Sequence, residues 1–176
     1  MINLDLKSQL KRIDVTKLKF KNGKTYAQVM IEEVNRLRDC IQARLDDYLR
    51  TYPYRYSDAN PTYKRTGTLQ NSLKVDDILN LKVTGKTMSL DIYFDDSGYH
   101  QSGDGIQDWN GNGETVNTAY LLNYGYEVKE DVWFKDIPYF GYRPAGHFIE
   151  DGIADFEMSN PYGIKIKVHK PNGYKV

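Results

Sequence analysis

The sequence predicts an α+β fold in which a long N-terminal amphipathic helix and a short C-terminal helix pack on an antiparallel sheet, with basic extensions at both ends. Two patterns lead to this prediction. Apolar residues recur at helical spacing over positions 26–48, and two alternating segments flank a Gly-Lys turn at positions 85–86. The 176 residues suit one domain, which we divide into a basic arm (1–24), the domain itself (25–160) and a C-terminal strand and tail (161–176).

The basic arm has weakly alternating apolar residues among its lysines and ends at the turn signal Asn22-Gly23. Seven Lys or Arg residues against two Asp residues give it a net charge of +5. We expect an edge strand, or a segment that becomes ordered on contact with partners.

The long helix begins after Thr25, which forms a capping-box pattern with Gln28. We expect it to end near Arg50, before Pro53. Cys40 stands at the edge of the apolar stripe, and we expect a buried structural thiol because no histidine or cysteine motif accompanies it. The stripe itself, spaced by three or four residues, consists of Tyr26, Met30, Val34, Leu37, Ile41, Leu45 and Tyr48.

A β-hairpin is expected next, formed by residues 75–84 and 87–94 around the two-residue loop Gly85-Lys86. Closing the loop there fixes the register, and every facing pair then agrees in polarity. The predicted pairs are Val83 with Met88, Leu81 with Leu90, Leu79 with Ile92, Lys82 with Ser89, and Asn80 with Asp91.

Residues 95–118 are rich in Gly, Asp, Asn and Gln, and a loop of this length in a compact domain is usually functional or disordered. Within it, Asp108, Asn110 and Asn112 stand at alternate positions of a calcium-loop pattern, but the position of the closing glutamate is Ala119. Ordinary Asn-Gly turn chemistry is the first explanation, and a weakly bound Ca²⁺ is the alternative. No other cofactor is expected.

The remaining elements are shorter. Residues 119–126 and 128–134 are predicted as a strand pair or a strand and turn. A short helix over residues 145–158 follows Pro144, because apolar residues fall on one side of it. A final half-buried strand is predicted where apolar residues alternate with lysines and a histidine, at Ile164, Ile166 and Val168.

The composition excludes several classes of protein. Lysine plus arginine and aspartate plus glutamate both number 24, so there is no bulk charge of the kind that binds nucleic acid or membranes. A single cysteine cannot staple a secreted scaffold, and a reducing compartment is the natural default. No apolar run approaches the roughly 20 residues of a membrane span.

The zero net charge hides a segregation along the chain. Residues 75–160 carry sixteen acidic and five basic side chains, whereas residues 161–176 carry four lysines and no acid. These runs are either solvated faces of one domain or complementary surfaces, through which the basic ends of one copy meet the acidic body of another in a ring. The 15 tyrosines likewise suit loop packing or a protein interface.

The sequence offers little catalytic chemistry. Its histidines, His100, His147 and His169, are isolated from one another, and no nucleophile elbow, phosphate loop or metal-ligand spacing is present. We therefore predict that the protein is not an enzyme, and keep a hydrolase built on Asp95, Asp96 and His100 as an alternative.

Three short segments resemble the head-to-tail joining, or tail-completion, proteins of long-tailed bacteriophages. Residues 63–73 resemble the R-T-G-x-L-x-x-S-(I/L) segment of that family, residues 120–125 resemble its strand ending in Tyr-Gly, and residues 143–149 resemble its R-P-a-p-F-(I/L) helix opening. Asn123 departs from the family, which usually has an acidic residue there. The matching residues are Arg65, Thr66, Gly67, Leu69, Ser72, Leu73, Tyr124, Gly125, Arg143, Pro144, Phe148 and Ile149.

The resemblance implies a non-enzymatic virion protein of the head-tail connector, or neck, assembled in the host cytoplasm. It would form a homo-oligomeric ring that contacts the portal, adaptor or stopper on one side and the tail-tube or terminator proteins on the other, with passing contact to genome DNA and none to membrane. The alternative from a different class is a cation- or glycan-binding module that uses residues 104–114 and neighbouring tyrosines.

Overall fold

The computed structural model describes residues 14–52, 69–84, 87–95, 118–127 and 142–169. The predicted α+β class is confirmed: a long N-terminal helix, α1 (Tyr26–Thr51), packs on a C-terminal helix, α3 (Phe148–Glu157), and on small antiparallel sheets. The other elements are α2 (Thr118–Tyr124), β1 (Leu73–Val75), β2 (Lys82–Thr84), β3 (Thr87–Ser89), β4 (Ile92–Phe94), β5 (Tyr126–Glu127) and β6 (Tyr142–Arg143).

The strands do not join into the one sheet that the sequence predicted. In the described residues they form three separate antiparallel pairs, β1 with β4, β2 with β3, and β5 with β6. No helix in this part of the chain is long and apolar enough to cross a membrane. The core is shared by both long elements and the strands, and its buried members are Leu37, Ile41, Leu45, Tyr48, Leu73, Phe94, Ala119, Leu122, Phe148, Ile149 and Phe156.

Helix α1 follows its predicted course. The capping box is present, since the Thr25 hydroxyl accepts from the backbone N–H of Gln28 at 3.2 Å and the Gln28 side chain accepts from the backbone N–H of Thr25 at 2.9 Å. The apolar stripe is buried from Val34 to Tyr48, whereas Tyr26 is 37% exposed. Tyr26 therefore lies outside the core, although Val29 in the same first turn is buried.

Helix α3 is shorter than the predicted 145–158 and crosses α1 very closely. A Cβ atom added at Gly152 would lie 2.6 Å from the Cα atom of Ile41, so only glycine permits this approach. Glycine lowers the intrinsic stability of a helix, but at position 152 it is required for α3 to pack this closely on α1. Phe148 and Phe156 flank the crossing and are fully buried.

The arm is described from residue 14 onward. The predicted turn at Asn22-Gly23 is present, with Gly23 at a φ of 83° and its N–H donating to the carbonyl of Phe20 at 2.9 Å. A single bridge between Lys19 and Thr25 takes the place of the expected edge strand in these residues. The turn folds the arm back so that Phe20 stacks on Tyr26 at 4.2 Å between ring centroids.

The hairpin prediction is correct only near its turn. Val83 faces Met88 and Lys82 faces Ser89 as expected, but residues 78–80 form a 3₁₀ turn and Ile92 pairs with Val75 in β1. Two competing interactions explain the error. The Asp77 side chain caps the turn, and the β1–β4 register buries Leu73 opposite Phe94 in the core.

Two further strand predictions are wrong. Residues 118–124 form α2, because Ala119, Leu122 and Asn123 at helical spacing are the buried ones. Residues 164–168 lie in no strand, although the predicted alternation of burial persists between the half-buried isoleucines and the exposed lysines. The Asn160 side chain bonds both the N–H and the carbonyl of Ile164 at 2.9 Å, which satisfies groups that a sheet ladder would otherwise use.

Candidate functional site

A buried junction joins α2 to the start of α3. Asn123 is fully buried, and its amide oxygen accepts from the backbone N–H of Ile149 at 2.9 Å while its amide nitrogen donates to Glu150 at 2.7 Å. The backbone reinforces the joint, since the N–H of His147 donates to the Asn123 carbonyl at 3.0 Å and that of Gly146 to the Leu122 carbonyl at 2.9 Å. This places the 120–125 and 143–149 segments of the phage-protein resemblance in direct contact.

The third segment of the resemblance reaches the same core from the other side. Ser72 is buried and its hydroxyl donates to the Leu69 carbonyl at 2.7 Å, while its own carbonyl accepts from the N–H of Asp95 at 2.8 Å. That bond fixes the end of β4, where Phe94 meets Phe148 edge-on at 6.1 Å. Residues far apart in the sequence thus enclose one core.

Helix α1 closes this core. The hydroxyl of Tyr48 donates to the carbonyl of Pro144 at 3.0 Å, and its ring lies 5.9 Å from that of Phe148. Gly125 takes a φ of 76°, a conformation that favours glycine, immediately before β5. Burial raises the pKa of the Tyr124 hydroxyl, and the neighbouring Glu150 carboxylate raises it further.

Several predicted site residues lie outside the described residues, and for them the predictions stand untested. They are Arg65, Thr66 and Gly67 of the first segment and Asp108, Asn110 and Asn112 of the calcium-loop pattern, together with Asp96 and His100. Arg143 is described through its backbone, in β6. No group of three or more His, Cys, Asp or Glu residues within the described ranges could hold a metal ion.

The reactive side chains that the structure does describe are scattered. His147 and His169 are exposed and belong to different segments. Cys40 is half-buried, and burial raises its pKa above that of an ordinary thiol, which reduces the thiolate fraction that a nucleophile requires.

Two surface features point to binding. The first, which we call the aromatic groove, is a groove of about 230 Å³ lined by Phe20, Tyr26, Met30, Met88, Tyr162 and Ile164. Phe20 holds it together by stacking on Tyr26 and by meeting Tyr162 edge-on at 4.9 Å. Sequence reasoning missed this groove because its walls come from four separate segments, and the excess of tyrosine was the one signal that pointed to it.

The second feature, which we call the Leu79 knob, is the 3₁₀ turn Ile78–Asn80 with its flanking aspartates Asp76 and Asp77. Leu79 is 88% exposed and Ile78 is 49% exposed. The sequence did not indicate this exposed turn, because we predicted Leu79 in a strand opposite Ile92. Two large apolar side chains are thus neighbours in water on an ordered turn.

Searches against protein-family models, curated proteins and solved structures find no match to the chain. The likeness to phage head-to-tail joining proteins therefore rests on the three short sequence segments alone.

Proposed function

We propose that the protein is a non-enzymatic structural component of a bacteriophage virion, which forms a ring in the head-tail connector and joins the portal and adaptor complex to the tail. One observation carries this proposal. The described parts of the three segments that resemble the neck proteins, residues 69–73, 120–125 and 143–149, all reach one core, in which Phe148 lies against Tyr48 and Phe94.

The surface supports the same proposal. A ring of identical copies needs two different surfaces on each copy that fit one another, since a head-to-tail contact closes by rotation. The aromatic groove and the Leu79 knob are two such apolar surfaces, at different places on the described part of the chain. Large apolar side chains left in water are costly for a monomer and useful to an assembly.

Removal of the gene from its phage tests the proposal. Lysates of the deletion phage should contain DNA-filled heads and separate tails by negative-stain electron microscopy, because the piece that joins them is missing. Purified full-length protein added to the lysate should restore joined particles and infectivity. Joined, infectious particles in the absence of the protein would contradict the proposal.

A further inference from the structure

The Leu79 knob is held in shape by its own hydrogen bonds. The Asp77 carboxylate accepts from the N–H of Leu79 at 2.9 Å, and the Asp77 carbonyl accepts from the N–H of Asn80 at 2.8 Å. The Asn80 side chain donates to the Asp76 carboxylate at 2.7 Å, and the N–H of Leu81 donates to the Ile78 carbonyl at 3.0 Å. The turn therefore presents Leu79 in a fixed position, which lowers the entropic cost of binding.

Two aspartates flank the knob directly, and one exposed lysine, Lys74, stands two residues before them. Asp77 is exposed and Asp76 is half-buried, and both stand directly before the apolar pair. The nearest lysine along the chain on the other side, Lys82, is already paired with Asp91 at 2.7 Å. The knob is thus an apolar tip with a negative base.

The aromatic groove has the opposite surroundings. The two segments that contribute Phe20 and Ile164 to its walls also carry exposed lysines, which are Lys19, Lys21, Lys165 and Lys167. A fifth lysine, Lys24, is paired with Glu32 at 2.6 Å. The groove is thus an apolar slot in a basic neighbourhood.

We propose that the Leu79 knob of one copy inserts into the aromatic groove of the next copy. The inference rests on the proposed ring and names its contact. Apolar cavities of about 150 Å³ accommodate a benzene ring, so a groove of about 230 Å³ accommodates a leucine side chain. The acidic base then faces the lysines, and complementary charge sets the orientation of the contact. In the proposed ring each copy offers its knob to one neighbour and its groove to the other, so the contact is heterologous and repeats from copy to copy.

Disulfide trapping between two separately purified variants tests this contact. In a Cys40→Ala background, Leu79→Cys in one preparation and Met30→Cys in the other should form a mixed disulfide under mild oxidation. Met158→Cys replaces Leu79→Cys in the control, since Met158 is 87% exposed and matches Leu79 in accessibility. We expect the Leu79 pair to cross-link at least about tenfold faster than the Met158 pair, because docking holds the two sulfurs together.

Loss of the knob provides a second readout without cysteines. Leu79→Ser should weaken self-association of the full-length chain about tenfold or more, whereas Met158→Ser should leave it unchanged. Thermal melts followed by circular dichroism serve as the control for folding, and we expect both variants to be folded. A ring that forms equally well in Leu79→Ser, or equal cross-linking of both pairs, overturns the contact while leaving the proposed function intact.

The other outcomes separate the two proposals as well. Specific Leu79 cross-links in a closed dimer support the contact and contradict the ring. A chain that neither self-associates nor cross-links at Leu79 overturns the contact, and the deletion phage then decides the proposed function independently.

Discussion

The region built on α1 and α3 and the region built on β2, β3 and the Leu79 knob use apolar side chains in opposite ways. In the first, Phe148 and Phe156 are fully buried and Gly152 brings the two helix backbones together. In the second, five of the six strand residues are exposed and Leu79 extends into solvent. The first region therefore buries its large apolar side chains in the core, whereas the second exposes most of its side chains to solvent.

Electrostatics strengthen the first region further. The Arg36 guanidinium lies 3.9 Å from the centre of the Phe156 ring and donates to Glu33 at 2.7 Å and to the carbonyl of Ser159 at 2.5 Å. It thereby satisfies a carbonyl just beyond the C-terminus of α3, where a cation also complements the helix dipole. In the described residues the N–H of Asp76 ties the base of the knob to the carbonyl of Asp91 at 2.9 Å, and the tip of the turn depends on its local bonds.

The largest expected effect is the loss of a core ring. Phe148→Ala removes a fully buried side chain that contacts Tyr48 and Phe94, and we expect it to lower the free energy of unfolding by about 3–5 kcal/mol. At dilutions at which the chain is monomeric, Leu79→Ala should change it by less than about 0.5 kcal/mol, because the side chain is then already in water. Urea unfolding of both variants measures the difference. Equal losses would remove the distinction between the two regions.

A smaller effect is expected at the α2–α3 junction. Asn123→Ala leaves the buried N–H of Ile149 without its acceptor, and we expect a loss of about 2 kcal/mol in urea unfolding. The control is Asn80→Ala, which removes an exposed amide that donates to Asp76 and should cost less than about 0.5 kcal/mol. If both variants lose the same stability, the junction contributes nothing beyond an ordinary surface bond.

The smallest effect concerns pH. Arg44 donates to both carboxylate oxygens of Asp155, at 2.6 and 2.7 Å, and this hydrogen-bonded pair lowers the Asp155 pKa below its ordinary value of 3.8. A carboxyl group whose pKa is lower in the folded state than in the unfolded state stabilises the folded protein at pH values above its unfolded-state pKa. This stabilisation is lost as the pH falls through the folded-state pKa. The stability of the wild type should therefore fall more steeply below about pH 4 than that of Arg44→Met.

Urea unfolding at several pH values from neutral to strongly acidic measures this slope. Arg38→Met is the matched control, since in the described part of the chain the recorded side-chain bonds of Arg38 go to its exposed neighbour Asp39. Parallel pH profiles for the wild type and Arg44→Met would show that the pair between α1 and α3 adds no pH-dependent stability.

The sequence predicted the first region better than the second, for a physical reason. Helix α1 repeats its apolar period over 26 residues, so the pattern outweighs any local competitor. Helix α2 has seven residues, and a short run such as Tyr120, Leu121 and Leu122 is compatible with either a strand or a helix. Predictions from periodicity therefore succeed where an element is long.

The candidate surfaces were harder to predict because they depend on contacts between distant segments. The strand register predicted from the Gly85-Lys86 turn is correct for β2 and β3. It does not extend to Leu79, because the Asp77 side chain caps a 3₁₀ turn there. One side-chain hydrogen bond thus determines whether that leucine is paired in a strand or exposed. The resemblance marked Ser72, Leu73, Phe148 and Ile149, all of which are buried, without indicating that they share a core. The aromatic groove has no local signature at all.

The proposed ring joins copies of this chain through exposed surfaces of opposite charge. Native mass spectrometry of the full-length protein over a range of concentration and salt tests it most directly. We predict a closed oligomer of one copy number that dissociates as the ionic strength rises, because salt screens the contact between acidic and basic surfaces. A strict monomer at every concentration and ionic strength, which also fails to associate with purified heads or tails, would contradict the claim.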